Sequence, residues 1–189
     1  MKHHENVKII ALVGLTGSGK STAVDYLTEK GYPKVYFGGI IYQAMKDAGI
    51  EITFESQKEF REKIREEEGK DFVVKRAIKQ ARDLIASGQH RIVLDGIYSW
   101  TEYKLVKHEF PGELTVAAII APKHQRKSRL AIRAERPLTS SEVDQRDWAE
   151  IENLEKGGPI AIADYFITNN GDLEHMQKQI DDILTHIDF

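Results

Sequence analysis

The chain has 189 residues, no cysteine and a formal net charge of −3 at pH 7. Its length indicates one domain, and the lack of cysteine excludes disulfides, cysteine-ligated zinc and thiol catalysis. The slightly acidic balance offers no basic excess to nucleic acid or to an anionic membrane surface. No apolar run approaches the roughly 18 residues that span a bilayer, and the N-terminal segment lacks the apolar core of a signal peptide. We therefore expect a cytoplasmic protein.

Short apolar runs alternate with segments of helical pattern along the whole chain. The predicted strands cover 7–13, 34–37, 91–96, 114–121 and 163–169. Helical patterns occupy 20–31, 38–49, 55–87, 123–135, 141–155 and the C-terminal segment from 173. Uninterrupted apolar strands that alternate with helices are typical of a parallel sheet covered on both faces. The pattern therefore predicts a three-layer α/β sandwich.

The segment GLTGSGKS, residues 14–21, matches the pattern G-x-x-x-x-G-K-[ST] at every fixed position. It follows a predicted strand and opens a predicted helix, which is the context of a phosphate-binding loop. Glycines let backbone N–H groups surround an anion, and the helix N-terminus adds its dipole. We expect Lys20 to contact the β- and γ-phosphates of ATP, and Ser21 to bind Mg²⁺. The nucleotide-binding residues expected in this loop are Gly14, Thr16, Gly17, Ser18, Gly19, Lys20, Ser21 and Thr22.

An aspartate, Asp95, lies near the end of the third predicted strand, in the run RIVLDG. Ligands of open α/β sheets bind at the carboxyl ends of the strands, so we expect Asp95 beside the phosphate loop. There it either holds Mg²⁺ through water or orients the phosphoryl acceptor as a base. An Asp-Gly turn without function is the alternative.

Four arginines follow the fourth predicted strand: Arg126, Arg129, Arg133 and Arg136. On one continuous helix their spacing places them within an arc of about 80°. Guanidinium groups bind phosphoryl oxygens in pairs, and the break RPLTSS resembles a hinge. We expect a lid over about 123–146 in which Arg129 binds the nucleotide and Arg133 and Arg136 are catalytic. A solvated cationic helix face is the alternative.

Two later motifs are ambiguous. Arg146 and Asp147 either pair with each other or contact the transferred phosphate, while Trp148 and its apolar neighbours at helical spacing are expected to face the core. Asn169, at the end of the fifth predicted strand, is expected to lie near the nucleotide base. An Asn-Gly turn that precedes the last helix explains the same residues.

The motifs GLTGSGKST, VLDGIYS, RLAIRAERP, QRDWAEIE and ADYFITNNG occur in this order. Together they resemble the P-loop nucleoside-monophosphate-kinase-like proteins, and above all a group of uncharacterised, adenylate-kinase-related archaeal proteins near the dephospho-CoA kinases. The resemblance covers essentially the whole chain. It implies a five-stranded parallel sheet of order 2-3-1-4-5, a helical acceptor-binding insert at about 38–88, and a lid. It also implies ATP, Mg²⁺ and a small acceptor.

The chain departs from these relatives where an acceptor would bind. Gly39 stands at the position of an expected aspartate, and Tyr42 and Tyr98 stand near or at positions of expected arginines. Basic residues of the charged segment, such as Lys63, are one possible replacement for these arginines. The expected function is a kinase that passes the γ-phosphoryl group of Mg·ATP to a nucleotide-like acceptor, as a monomer or homodimer. The alternatives are a dephospho-CoA kinase-like activity, and a nucleotide-binding regulator or slow ATPase without an acceptor.

Overall fold

A computed structural model of the chain describes residues 6–69, 71–134 and 137–189. The strands in these ranges are β1 (Lys8–Val13), β2 (Lys34–Tyr36), β3 (Arg91–Asp95), β4 (Leu114–Ile120) and β5 (Tyr165–Thr168). The helices are α1 (Lys20–Glu29), α2 (Phe37–Asp47), α3 (Phe54–Glu68), α4 (Phe72–Ala86), α5 (Trp100–Glu109), α6 (Lys123–Ala131), α7 (Ser140–Glu152), α8 (Gly157–Ala161) and α9 (Leu173–His186). Within this described part of the chain, no helix is both long enough and apolar enough to cross a membrane.

The strands form one parallel sheet of order β2-β3-β1-β4-β5, which confirms the predicted topology. The central strand β1 pairs with β3 on one side and with β4 on the other, so that Ile10 lies opposite Val93 and Thr115. Most side chains of β1 are fully buried, because helices cover both faces of the sheet. This double burial explains why the strands read as uninterrupted apolar runs.

Alternate residues of β1 point into two separate core layers. Ile9 and Ala11 pack in the larger layer, which contains residues from α2, α4 and α5, including Phe72. Ile10 and Leu12 pack in the smaller layer, against apolar residues of α1 and α9. The three-layer arrangement therefore follows from helices that dock on the two faces of one sheet.

The helices differ from the sequence prediction at several boundaries. The charged segment 55–87 contains two helices, because the chain turns at Gly69 with a positive φ of 93°. The predicted helix 123–135 ends at Ala131, where the chain folds back and Leu138 N–H donates to the Leu130 carbonyl over 3.0 Å. Two helices, α5 and the short α8, were not anticipated. At the start of α7, Thr139 and Glu142 form a capping box, in which each side chain accepts from the backbone N–H of the other residue.

Candidate functional site

The phosphate loop connects the end of β1 to the start of α1 and depends on glycine for its shape. Gly17 and Gly19 have φ values of 82° and 100°, which is the left-handed region that glycine adopts at little cost. A Cβ atom on Gly19 would lie 2.0 Å from the Asn169 amide nitrogen, and one on Gly17 would lie 2.9 Å from the Leu130 side chain. The glycines thus permit both the backbone conformation and close packing by the segments that follow β4 and β5.

Several N–H groups of this loop are available to an anion. Ser18 N–H donates to the Leu15 carbonyl over 3.0 Å and shapes the loop. Among the described residues, no acceptor bonds to the N–H groups of Gly17, Gly19, Lys20 or Ser21. Three of these donors lie at or next to the N-terminus of α1, whose dipole favours negative charge. The loop therefore has the chemistry of a phosphate cradle.

Lys20 and Asp95 meet at the carboxyl edge of the sheet, as the sequence predicted. The Lys20 ammonium forms an ion pair with Asp95 Oδ1. The contact exists because β1 and β3 are parallel neighbours whose carboxyl ends lie at the same edge. Asp95 is buried, whereas Ser21 is exposed at the first turn of α1.

A buried ion pair, which the sequence did not predict, attaches α6 and α7 to the phosphate loop. Both terminal nitrogens of Arg126 donate to the Asp147 carboxylate over 2.7 Å. Arg126 Nη1 also donates to the Thr16 carbonyl over 3.1 Å. Of the two interpretations of Arg146 and Asp147, their pairing with each other is therefore wrong, because Arg126 occupies both carboxylate oxygens.

Glu150 binds the phosphate loop from the next turn of α7. Its carboxylate accepts from Thr16 N–H over 3.1 Å and from the Thr16 hydroxyl over 2.5 Å. The Lys156 ammonium lies 2.8 Å from the same carboxylate, and Arg146 Nε donates to the Thr16 hydroxyl over 3.0 Å. Burial alone would raise the pKa of Glu150, but Lys156 and the Thr16 donors outweigh it and hold the pKa below its usual range.

Neither Glu150 nor Lys156 emerged from the sequence as a site residue. Glu150 had a weak signal, since it follows Arg146 by four residues and shares its helix face. Lys156 had none, because it follows the end of α7 and only the tertiary structure brings it inward.

Asn169 contacts the phosphate loop at Ser18, and Arg129 contacts Asn169. The Asn169 side-chain amide donates to the Ser18 carbonyl over 2.8 Å, and Arg129 Nη2 donates to the Asn169 carbonyl over 2.9 Å. Both predicted residues therefore lie beside the phosphate loop. Their contact with a nucleotide base or phosphate stays a prediction.

The predicted arginine face is wrong. Arg126 and Arg129 lie on α6, but the helix ends before Arg133, whose side chain is exposed. Arg136 lies outside the described residues. The four guanidinium groups do not form one stripe, because α6 ends at Ala131 and the chain then folds back. In addition, Arg126 is already paired with Asp147 in the protein interior.

The expected inner face of α7 is also wrong. Trp148 is 63% exposed, and Ile151 and Leu154 are exposed as well. The buried residues of α7 include Asp147 and Glu150, which supply partners to Arg126 and to the phosphate loop. The demand for polar contacts, rather than apolar periodicity, sets the orientation of this helix.

Tyr98 turns back over the end of β3. Its ring lies against Gly96, where an added Cβ would lie 2.6 Å from Tyr98 Cζ, and Gly96 has a φ of 93°. Burial, followed by the nearby charge of Asp95, raises the pKa of the Tyr98 hydroxyl far above its usual range. Tyr36 packs over Gly39 in a similar way, so the rings of Tyr36 and Tyr98 form an aromatic surface near Asp95.

Few other side chains in the described structure are placed to bind an acceptor or a metal ion. Lys63 forms an exposed ion pair with Glu67 at 3.8 Å, which is typical of a solvated helix face. Among the residues that the structure describes, no three His, Asp or Glu side chains cluster as a metal site would require. Mg²⁺ commonly takes one or two protein oxygens together with substrate phosphates and water, and the Ser21 and Asp95 oxygens suit that coordination.

Comparison with known proteins agrees with this geometry. An AAA domain profile matches residues 10–157. The UPF0200 protein TK1334 of Thermococcus kodakarensis is 32% identical over 182 residues, covering 95% of this chain and 97% of the relative. The UPF0200 protein of Sulfurisphaera tokodaii is 31% identical over 188 residues, covering 96% and 98%.

Solved structures share the fold at low sequence identity. TT1252 from Thermus thermophilus superposes with a TM-score of 0.63 at 21% identity, covering 98% of both chains. Shikimate kinase from Acinetobacter baumannii, in complex with shikimate, superposes with a TM-score of 0.56 at 20% identity, covering 96% of both chains. These similarities establish a P-loop kinase-like fold. The chain belongs to the UPF0200 family and carries the AAA-type P-loop domain.

Proposed function

We propose that this protein is a kinase that transfers the γ-phosphoryl group of Mg·ATP to a small, nucleotide-like acceptor. The observation that carries the proposal is the Lys20–Asp95 ion pair beside a loop in which the N–H groups of Gly17, Gly19, Lys20 and Ser21 lack protein acceptors in the described structure. A cradle of N–H groups with a lysine and a carboxylate at one sheet edge suits phosphoryl transfer, where catalysis is mostly positioning and charge stabilisation.

Each residue has a distinct task in this proposal. Lys20 leaves Asp95 to contact the β- and γ-phosphates, while the loop N–H groups bind the phosphate oxygens. Ser21 and Asp95 would hold Mg²⁺, which would supply positive charge to the phosphates during the transfer. The acceptor oxygen forms a bond to the γ-phosphorus, the bond from that phosphorus to ADP breaks, and the acceptor proton leaves to solvent.

Arg146 is the arginine that the contacts favour for the transferred group. Its Nε is anchored to the Thr16 hydroxyl, and in the described structure its two terminal nitrogens have no recorded hydrogen-bond partner. A guanidinium that is held at one end and free at the other suits bidentate contact with phosphoryl oxygens. Arg133, on the exposed segment after α6, reaches the site only if that segment moves, and its catalytic role stays a prediction.

The proposal is tested by ADP release from Mg·ATP in the presence of single acceptors. The panel contains the nucleoside monophosphates, their deoxy forms, dephospho-CoA and shikimate. We expect one compound to stimulate ADP release strongly and to appear as a phosphorylated product. Lys20→Met should lower this activity by about a hundredfold or more, because a charge stabiliser of the transition state is lost.

Lys178→Met is the matched control, because Lys178 pairs only with exposed Asp182 on α9. It should leave the activity unchanged. Full activity of Lys20→Met would refute the proposal. Tight ATP binding without stimulation by any acceptor would instead favour a nucleotide-binding regulator or slow ATPase.

A further inference from the structure

Lys156 is a buried lysine outside the phosphate loop that nevertheless reaches the site. Its side chain is only 9% exposed, and its ammonium lies 2.8 Å from the Glu150 carboxylate. The same ammonium lies 5.0 Å from the centre of the Tyr98 ring. Burial of a lysine is costly, so its position calls for a role beyond that of a surface cation.

Lys156 shares its counter-ion with a second cation. Lys156 and Arg146 both pair with the carboxylate of Glu150, while Lys20 pairs with Asp95. Burial lowers the pKa of Lys156, and the positive charges of Arg146 and Lys20 lower it further against the opposing effect of Glu150. An acceptor anion beside Lys156 would add a negative charge next to two cations that share one carboxylate.

The location of Lys156 suits an acceptor rather than the nucleotide. The Lys20 ammonium lies 6.0 Å from the Tyr98 ring centre, so both lysines contact the aromatic surface that follows Asp95. Lys156 immediately precedes α8, which packs on α5: a Cβ on Gly158 would lie 2.7 Å from the Trp100 ring. Tyr98 and Ile160 of α8 pack against the larger core layer, whereas Asn169 approaches Gly19 beside Met176 of the smaller layer.

We propose that Lys156 and the Tyr98 ring form a subsite for an anionic group of the acceptor, either a phosphate monoester or a carboxylate, next to the Arg146 guanidinium that binds the transferred group. The inference rests on the proposed kinase function and makes Lys156 the residue that selects charged over neutral acceptors. It also offers a replacement for the arginines that are missing at Tyr42 and Tyr98.

The first test compares acceptors that differ in one anionic group. CMP is compared with cytidine, AMP with adenosine, and shikimate with its methyl ester, each in the presence of Mg·ATP. The wild-type protein should prefer an anionic member, and Lys156→Met should raise the KM of that acceptor by about tenfold to a hundredfold, as expected for loss of a charge-assisted contact. The KM for ATP should change less than about twofold, because the nucleotide contacts lie elsewhere.

Two variants serve as controls for the KM measurements. Lys156→Arg retains the charge and should restore most of the preference, whereas Lys178→Met on α9 should leave both KM values unchanged. If Lys156→Met fails to fold, Lys156→Gln, which removes the charge but keeps a hydrogen-bond donor for Glu150, takes its place. Equal preference for charged and neutral acceptors in the wild type, or equal losses for ATP and acceptor in Lys156→Met, would overturn the proposal.

A second test does not need turnover. Orthophosphate is titrated into the protein with saturating Mg·ADP, and the unfolding temperature is recorded. We expect a rise in Tm for the wild type and Lys178→Met, and none for Lys156→Met. No rise in the wild type would overturn the subsite. A rise that needs Lys156, without stimulation by any acceptor, would keep the subsite and reject the kinase activity.

Discussion

The buried Arg126–Asp147 pair predicts the largest stability effect at the site. Asp147→Asn keeps the shape of the side chain but leaves the Arg126 charge buried without its counter-ion. Both groups are buried, and the pair makes two hydrogen bonds of 2.7 Å. Breaking such a pair on one side costs about 3–5 kcal/mol of unfolding free energy. For a chain of this size that corresponds to a fall in Tm of about 6–20 °C.

The measurement is urea unfolding together with a thermal scan. Asp182→Asn removes the carboxylate of the exposed Lys178–Asp182 pair and is the control, with an expected loss below about 1 kcal/mol. Replacing both members of the buried pair, as Arg126→Met with Asp147→Leu, should recover part of the loss, since no charge then remains unpaired. An Asp147→Asn variant as stable as the Asp182→Asn control would refute the reasoning.

Two further predictions concern the phosphate loop and its neighbour. Gly19→Ala should abolish ATP binding measured by calorimetry, because the added Cβ would lie 2.0 Å from the Asn169 amide and Gly19 has a φ of 100°. Adding Asn169→Ala to this variant should restore little ATP binding, since the backbone strain remains. Between about pH 9 and pH 12, the gain in tyrosinate absorbance should be the same for Tyr98→Phe as for the wild type. The reason is that Tyr98 stays protonated in the folded protein over this pH range. The raised pKa of Tyr98 contributes stability below its unfolded value of 10.0 and loses it as pH rises further, so this variant should be less sensitive to alkaline unfolding.

The orientation of α7 shows how polar contacts override an apolar pattern. Trp148, Ile151 and Leu154 recur at helical spacing and predict an inward face, yet all three are exposed. The adjoining face supplies Asp147 to Arg126 and Glu150 to the Thr16 donors. An unpaired buried guanidinium or N–H group would cost more than the exposure of these apolar side chains, so the helix turns its acidic face inward.

The sequence alone determined the parallel sheet and the phosphate loop, and its resemblance to the P-loop nucleoside-monophosphate-kinase-like proteins implied the strand order. Apolar strands and the glycine pattern are local signals, and the parallel topology places the ends of β1 and β3 side by side, which brings Lys20 to Asp95. These conclusions needed no knowledge of side-chain packing, because strand direction fixes which residues share an edge.

Only the tertiary structure decided which groups surround that loop. The Thr16–Glu150 contact joins residues 134 positions apart, and Lys156 reaches the site because the chain leaves α7 and begins α8 beside α5. The arginine stripe required one unbroken helix, and the reversal after Ala131 prevented it. Periodicity predicts one face of an isolated helix, whereas the docked helix takes the orientation that satisfies its buried charges and hydrogen-bond donors.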